Sequence, residues 1–218
     1  MSKKILLVSL LAALSVSAQA FELPKLGSSD KGSASSGNIE ADVNDFVAKS
    51  LALAVTSTRS LVAINSAYKS DEEIAKSKAA LAAAEAKTNT GEKQAAYGEL
   101  YKTEAADAEK FRNSKDATEK LKSLSADKQK LVGTAVFNLF VAALSAPSLV
   151  DKGQKIVSGA SLANVTKIIP VKDSIPLLQR FVSDGAGTVA GFAKLAKGAN
   201  ISIPEATGSS QQQDVAIN

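Results

Sequence analysis

Val47, Leu51, Ala54, Thr58, Leu61, Asn65 and Tyr68 recur at alternating intervals of four and three residues. That spacing sets side chains on one stripe of an α-helix and approximates a coiled-coil seam. Thr58 and Asn65 interrupt the apolar seam. Polar residues at such positions commonly fix the register of a bundle, and that structural role is favoured over a ligand site.

From Lys69 to Lys130 the chain changes character: these 62 residues hold 13 basic and 12 acidic side chains and many alanines. Opposite charges recur at helical spacing in Glu72/Lys76, Glu99/Lys102, Asp107/Lys110, Glu109/Arg112, Asp116/Lys120 and Glu119/Lys122. Each such pair contributes only about 0.2–0.5 kcal/mol, but together they favour a long solvated helix with little core. Thr88-Asn89-Thr90-Gly91 interrupts it, with Thr90 placed to cap a helix that begins near Glu92. The spacing thus predicts a long antiparallel hairpin, helix one over 38–88 and helix two from Gly91 towards Ala146, with a second cap at Ser125 that breaks or bends helix two. A fifty-residue helix would reach about 75 Å at ~1.5 Å per residue, which implies a charged stalk on a greasier base.

No charge lies between Lys130 and Asp151, a run long enough to span a ~30 Å hydrocarbon layer. Pro147 should end the helix near Ala146, so a buried bundle helix is the expected reading and a membrane-inserting 131–146 segment the alternative. Beyond it, Pro170 should stop one helix. Asp173 or Ser174 should cap the next, with Pro176 in its first turn and its end at Gly198. Ser183, Gly187 and Gly191 form a small-residue face suited to close packing on helix two.

The N-terminus sets two lysines before an apolar run, Ile5 to about Val16, and then Ala18-x-Ala20. That order is the pattern of a secretory signal peptide over 1–20. No cysteine follows for lipid attachment. Residues 21–37 read as a flexible Gly/Ser-rich linker, 38–203 as a single helical domain and 204–218 as a disordered tail. The expected compartment is the periplasm, with the medium as the alternative. Removing Lys3 and Lys4 lowers the formal charge from +4 to +2 and leaves no basic stripe for nucleic acid.

His and Cys are absent and the only Met is Met1, so the usual ligands of zinc, copper and haem iron are missing, as is the commonest general base. Ser-x-x-Lys, a Ser-Lys dyad spacing, occurs at Ser28/Lys31, Ser66/Lys69 and Ser125/Lys128, about as often as this chain's Ser and Lys content gives by chance. Gly185-Ala186-Gly187 with Gly191, and Lys152-Gly153-Gln154-Lys155, lack the spacing of phosphate-binding loops. Asp71-Glu72-Glu73 reads as a solvated face, and Tyr97 with Tyr101 as helix packing in preference to an exposed contact patch. No catalytic, cofactor-binding or metal-ligating residue is assigned, and no cofactor is expected.

The sequence therefore points to an all-α fold, the long hairpin completed at its base into a bundle of roughly four helices by C-terminal helices. The expected function is non-enzymatic, acting on another envelope protein as a spacer, adaptor or chaperone-like clamp. The alternatives are a membrane-associating or pore-forming protein that inserts 131–146 and a bundle that binds an apolar ligand or lipid. Oligomer formation is compatible with each.

Overall fold

The computed structural model describes residues 39–207, 210–215 and 217, so the expected signal segment and the Gly/Ser-rich linker lie outside the described residues. Among the described residues the only regular secondary structure is helix, with no strand. In chain order they form α1 (Ile39–Ser66), α2 (Asp71–Glu85), α3 (Thr90–Arg112), α4 (Ala117–Lys122), α5 (Ala126–Ser158) and α6 (Ile169–Gly198), with a 3-10 turn at Leu162–Asn164 between the last two.

Side-chain contacts fix the direction of each helix. Thr58 donates to the carbonyl of Tyr97 and Asn65 to that of Glu104, so seven residues along α1 match seven along α3 and the two run parallel. Arg59 pairs with Glu85 while Lys69 reaches Ser77, which makes α2 antiparallel to α1. Ser174 on Gln94, Phe181 on Tyr101 and the Gly187 carbonyl on Arg112 keep α3 and α6 parallel. Asp45 pairs with Lys152, whereas Ala63 and Leu131 share a groove at the other end, so α5 runs against α1. The central bundle is α1, α3, α5 and α6, and α2 packs outside it on α1 and α3.

The bundle agrees with the sequence, but the long hairpin is divided. Helix one breaks at 67–70, where Ser70 accepts from the Glu73 amide and Glu73 accepts from the Ser70 amide, a capping box that starts α2. Helix two breaks at 113–116 and again before Ser125, which caps α5 as its sequence indicates. The expected turn near residue 90 is present between α2 and α3, capped by Asn89 one residue before Thr90. The reason is apolar surface. A straight stalk would leave Tyr97, Leu100, Tyr101 and Phe111 in water, whereas folding back buries all four, each worth roughly 1.5–3 kcal/mol. Most charges of this stretch stay on the outer side, Glu104 and Lys69 excepted, and five of the six expected pairs close; Glu99/Lys102 does not.

Proline placement also differs. α5 continues through Pro147 to Ser158, because the exposed Pro147 faces solvent while Ala146, Leu149 and Gly153 stay buried on either side. Packing of those neighbours outweighs the roughly 3 kcal/mol cost of an interior proline. Pro170 opens α6 rather than stopping a helix, and Pro176 lies inside it. Ser174 is a buried helix-interior residue that donates to the Pro170 carbonyl, not a cap. The buried positions Val171, Ser174, Leu178, Phe181, Gly185, Val189, Phe192 and Ala196 draw one stripe along α6. The expected small-residue face does not pack as a unit: Ser183 is exposed, Gly187 faces open space and Gly191 admits the Arg112 side chain, while Gly185, outside that face, is the glycine that meets Ala143 of α5.

Asn200, with φ 57°, turns the chain at the end of α6 in a left-handed conformation that Asn tolerates. The described residues beyond it have no regular secondary structure, yet they are not loose throughout: Ile201, Gln212 and Val215 are buried, and the Ser202 carbonyl lies where a side chain on Gly133 would stand.

Two glycines in helices should respond to alanine with opposite signs. A methyl on Gly153 would sit 2.8 Å from the Phe46 ring, and Gly153→Ala should destabilise by about 1–3 kcal/mol through overpacking. Nothing lies within 4 Å of that position on Gly187, and Gly187→Ala should stabilise by about 0.5–1 kcal/mol. Urea midpoints of the two variants check both signs.

Candidate functional site

The elbow between α1 and α2 gathers the chain's most buried charge. Glu104 of α3 is 1% exposed. Its carboxylate accepts from the Lys69 ammonium at 3.0 Å, from the Ser77 hydroxyl at 2.6 Å and from the Asn65 amide. Lys69 also reaches Asp107 at 2.8 Å, and the Tyr68 hydroxyl donates to the Asn65 side chain while its ring stacks on Phe111 at 3.7 Å. These bonds join α1, α2 and α3 at one point. Burial pushes the Asp107 carboxyl up, but hydrogen bonds from Lys69 and Lys110 more than offset that and hold it below the usual 3.8. Burial likewise draws the Lys69 ammonium down, and its bonds to Asp107 and Glu104 raise it above the usual 10.5.

Beside the elbow lies an open groove of about 680 Å3. It exists because α2 packs on α1 and α3 with only Ser77, Leu81 and Ala84 buried, and so stands away from α5. Ala63 and Ala67 of the α1 end, Ile74 and Ala75 of α2 and Leu131 of α5 line it with apolar surface, while Asp71, Lys78, Asp127 and Lys128 supply charge. Its two hydroxyls are engaged: Ser66 donates to the Ala63 carbonyl, and Ser125 accepts from the Lys128 amide. These are the two Ser-x-x-Lys matches within the described residues, and neither serine bonds its lysine's amine. What the groove can do is bury an apolar segment between charged edges.

Other candidates from the sequence are placed plainly. Tyr97 and Tyr101 are buried at 1% and 3% exposure, so they form no surface patch, and burial pushes the Tyr97 hydroxyl up to about 12. Glu73 of the acidic run closes the α2 cap, and Glu72 pairs with Lys76. Gly185 to Gly191 lie inside α6, and Lys152 pairs with Asp45. Among the described residues no three of His, Cys, Asp and Glu gather as metal ligands. Sequence reading missed the elbow, although Ser70-x-x-Glu73 is a capping-box signal in plain view. It also missed Glu104 as a buried acid, which looks like any other charge of its segment.

Two outcomes follow from the elbow. Glu104→Ala leaves the Lys69 side chain, 8% exposed, facing a lost partner, and should cost roughly 3–5 kcal/mol in chemical denaturation; Glu104→Gln, which keeps acceptor and size, should cost less. The depressed Asp107 contributes stability that is present above about pH 4 and lost as pH falls through its folded pKa, and the raised Lys69 contributes stability lost only as pH rises beyond about 10.5. With no His to titrate between them, the melting temperature should be flat from about pH 6 to about pH 9 and fall on the acid side first.

No protein-family model, no curated protein and no solved structure matches the chain.

Proposed function

We propose that this is an exported, periplasmic, non-enzymatic helical protein that acts by protein–protein contact as an adaptor or chaperone-like clamp, with the groove beside the α1–α2 elbow as its contact surface. The observation that carries this reading is the groove's make-up: apolar lining from Ala63, Ala67, Ile74 and Leu131, charge at its edges, and hydroxyls already bonded to the chain itself. Apolar anchors entering such a groove, with polar groups around them, are how helices and extended segments are commonly held. A spacer role draws no support, because α2 folds back on α1 and α3 rather than extending a stalk. Insertion of 131–146 into a membrane would need the bundle to open. α1 and α5 are the two described helices long and apolar enough to cross a bilayer, but 72% and 56% of their apolar windows are buried.

A second reading is favoured by one number. The groove's volume of about 680 Å3 falls within the ~300–1,000 Å3 typical of small-molecule sites, so an apolar ligand or lipid is the competing occupant.

A photoreactive phenylalanine analogue in place of Ile74, irradiated in the native envelope, separates the two. A discrete protein adduct that is lost with Leu131→Asp supports the contact reading. Adducts to lipid alone move the assignment to the ligand reading. No adduct, with an exposed control position labelling normally, removes both.

A further inference from the structure

Asn138 lies within the uncharged run of α5 and is fully buried, and its side chain hydrogen-bonds to the C-terminal segment. Its Nδ2 donates to the Gln213 carbonyl at 2.7 Å, and its Oδ1 accepts from the Gln213 amide at 2.7 Å. The Gln212 side chain donates to the Asn138 carbonyl at 3.2 Å. A side-chain amide that both donates to and accepts from the main chain of one residue behaves like a neighbouring strand. It reads backbone and is indifferent to the side chain there.

The next two residues also meet the bundle. Asp214 approaches Arg59 of α1 at 4.0 Å, and Val215 is 5% exposed. Arg59 also pairs with Glu85, so its charge is anchored whether or not Asp214 is present. The fit is incomplete, since the buried Gln212 Oε1 has no hydrogen-bond partner. A buried acceptor left unpaired weakens the seating of this particular segment. Among its described residues the segment beyond α6 carries no helix or strand to hold it.

We infer that the surface around Asn138 and Arg59 is a binding seat for an extended peptide, occupied here by residues 212–215 as an intramolecular competitor. The partner it fits is an extended protein segment with an acidic residue followed by an apolar one. Such a segment would take the main-chain bonds of Asn138, the charge of Arg59 and the buried place of Val215. This deepens the protein-contact reading and rests on it, but the seat is separate from the groove, so one test can fail without the other. Because a short tether gives an effective concentration in the millimolar range, the chain's own segment should hold the seat until a better-fitting segment arrives.

The test uses the full chain and, as probe, a fluorescein-labelled synthetic peptide of residues 205–218, read by fluorescence anisotropy. Val215→Asp should unseat the chain's own segment, seen as faster hydrogen exchange at the Gln213 amide, and should bind the peptide at least ten times more tightly than the unaltered protein. Adding Asn138→Leu, which keeps size but removes both bonds, should cut that binding at least tenfold with helical circular dichroism unchanged. Equal binding by the unaltered and Val215→Asp proteins, no binding by Val215→Asp, or indifference to Asn138→Leu overturns the seat. If Val215→Asp loses helical circular dichroism, Val215→Ala carries the same test with the same outcomes.

Discussion

The buried carboxylate of Glu104 governs the arrangement of the first half of the chain. Charge removed from water must be matched by partners, and the partners come from α1, from the α1–α2 turn and from α2: Asn65, Lys69 and Ser77. Only one sliding position of α1 against α3 brings Asn65 to Glu104, and that position also brings Thr58 to the Tyr97 carbonyl. Only a reversal at 67–70 brings Lys69 and Ser77 to the same carboxylate. Register, helix break and the backward course of α2 are therefore set together. The groove beside the elbow is a by-product of that reversal, because α2 is committed to α1 and α3 and leaves a gap towards α5.

The second half is governed by a different demand. α5 is apolar on nearly all sides between Leu131 and Ala142, and such a helix needs cover all round. α1 and α6 are its main neighbours, and the C-terminal segment adds to the cover where Ser202 crosses Gly133 and Gln213 meets Asn138. One polar residue within that apolar run gives the segment a specific docking point. The same need for cover explains why α5 passes through Pro147 without ending: a lost backbone bond on the solvent side costs less than uncovering Leu149 and Gly153.

The two demands suit a protein whose chemistry lies at its surface. Its buried charges are bonded to one another, Tyr97 and Tyr101 are packed in the core, and the serine hydroxyls of its described Ser-x-x-Lys matches are engaged in turns and caps. What remains open is an apolar-lined groove at one end of α1.

Helix was legible throughout, because the four-three stripe of α1, the ion pairs of α3 and α4 and the caps at Asn89 and Ser125 are local interactions that sequence spacing records. The polar seam residues Thr58 and Asn65 were legible as register-setting for the same reason. By itself the sequence determined an all-α chain, the rough positions of most helices and the want of imidazole and thiol chemistry. Tertiary structure alone decided that α1 and α3 run parallel, that Glu104 is buried while its equally charged neighbours are not, that α5 and α6 run through their prolines, and that the C-terminal segment is seated on Asn138. The physical reason is common to all four. Each depends on which surfaces meet between residues far apart in the chain, and the gain from burying those surfaces outweighs the local propensities that spacing can reveal.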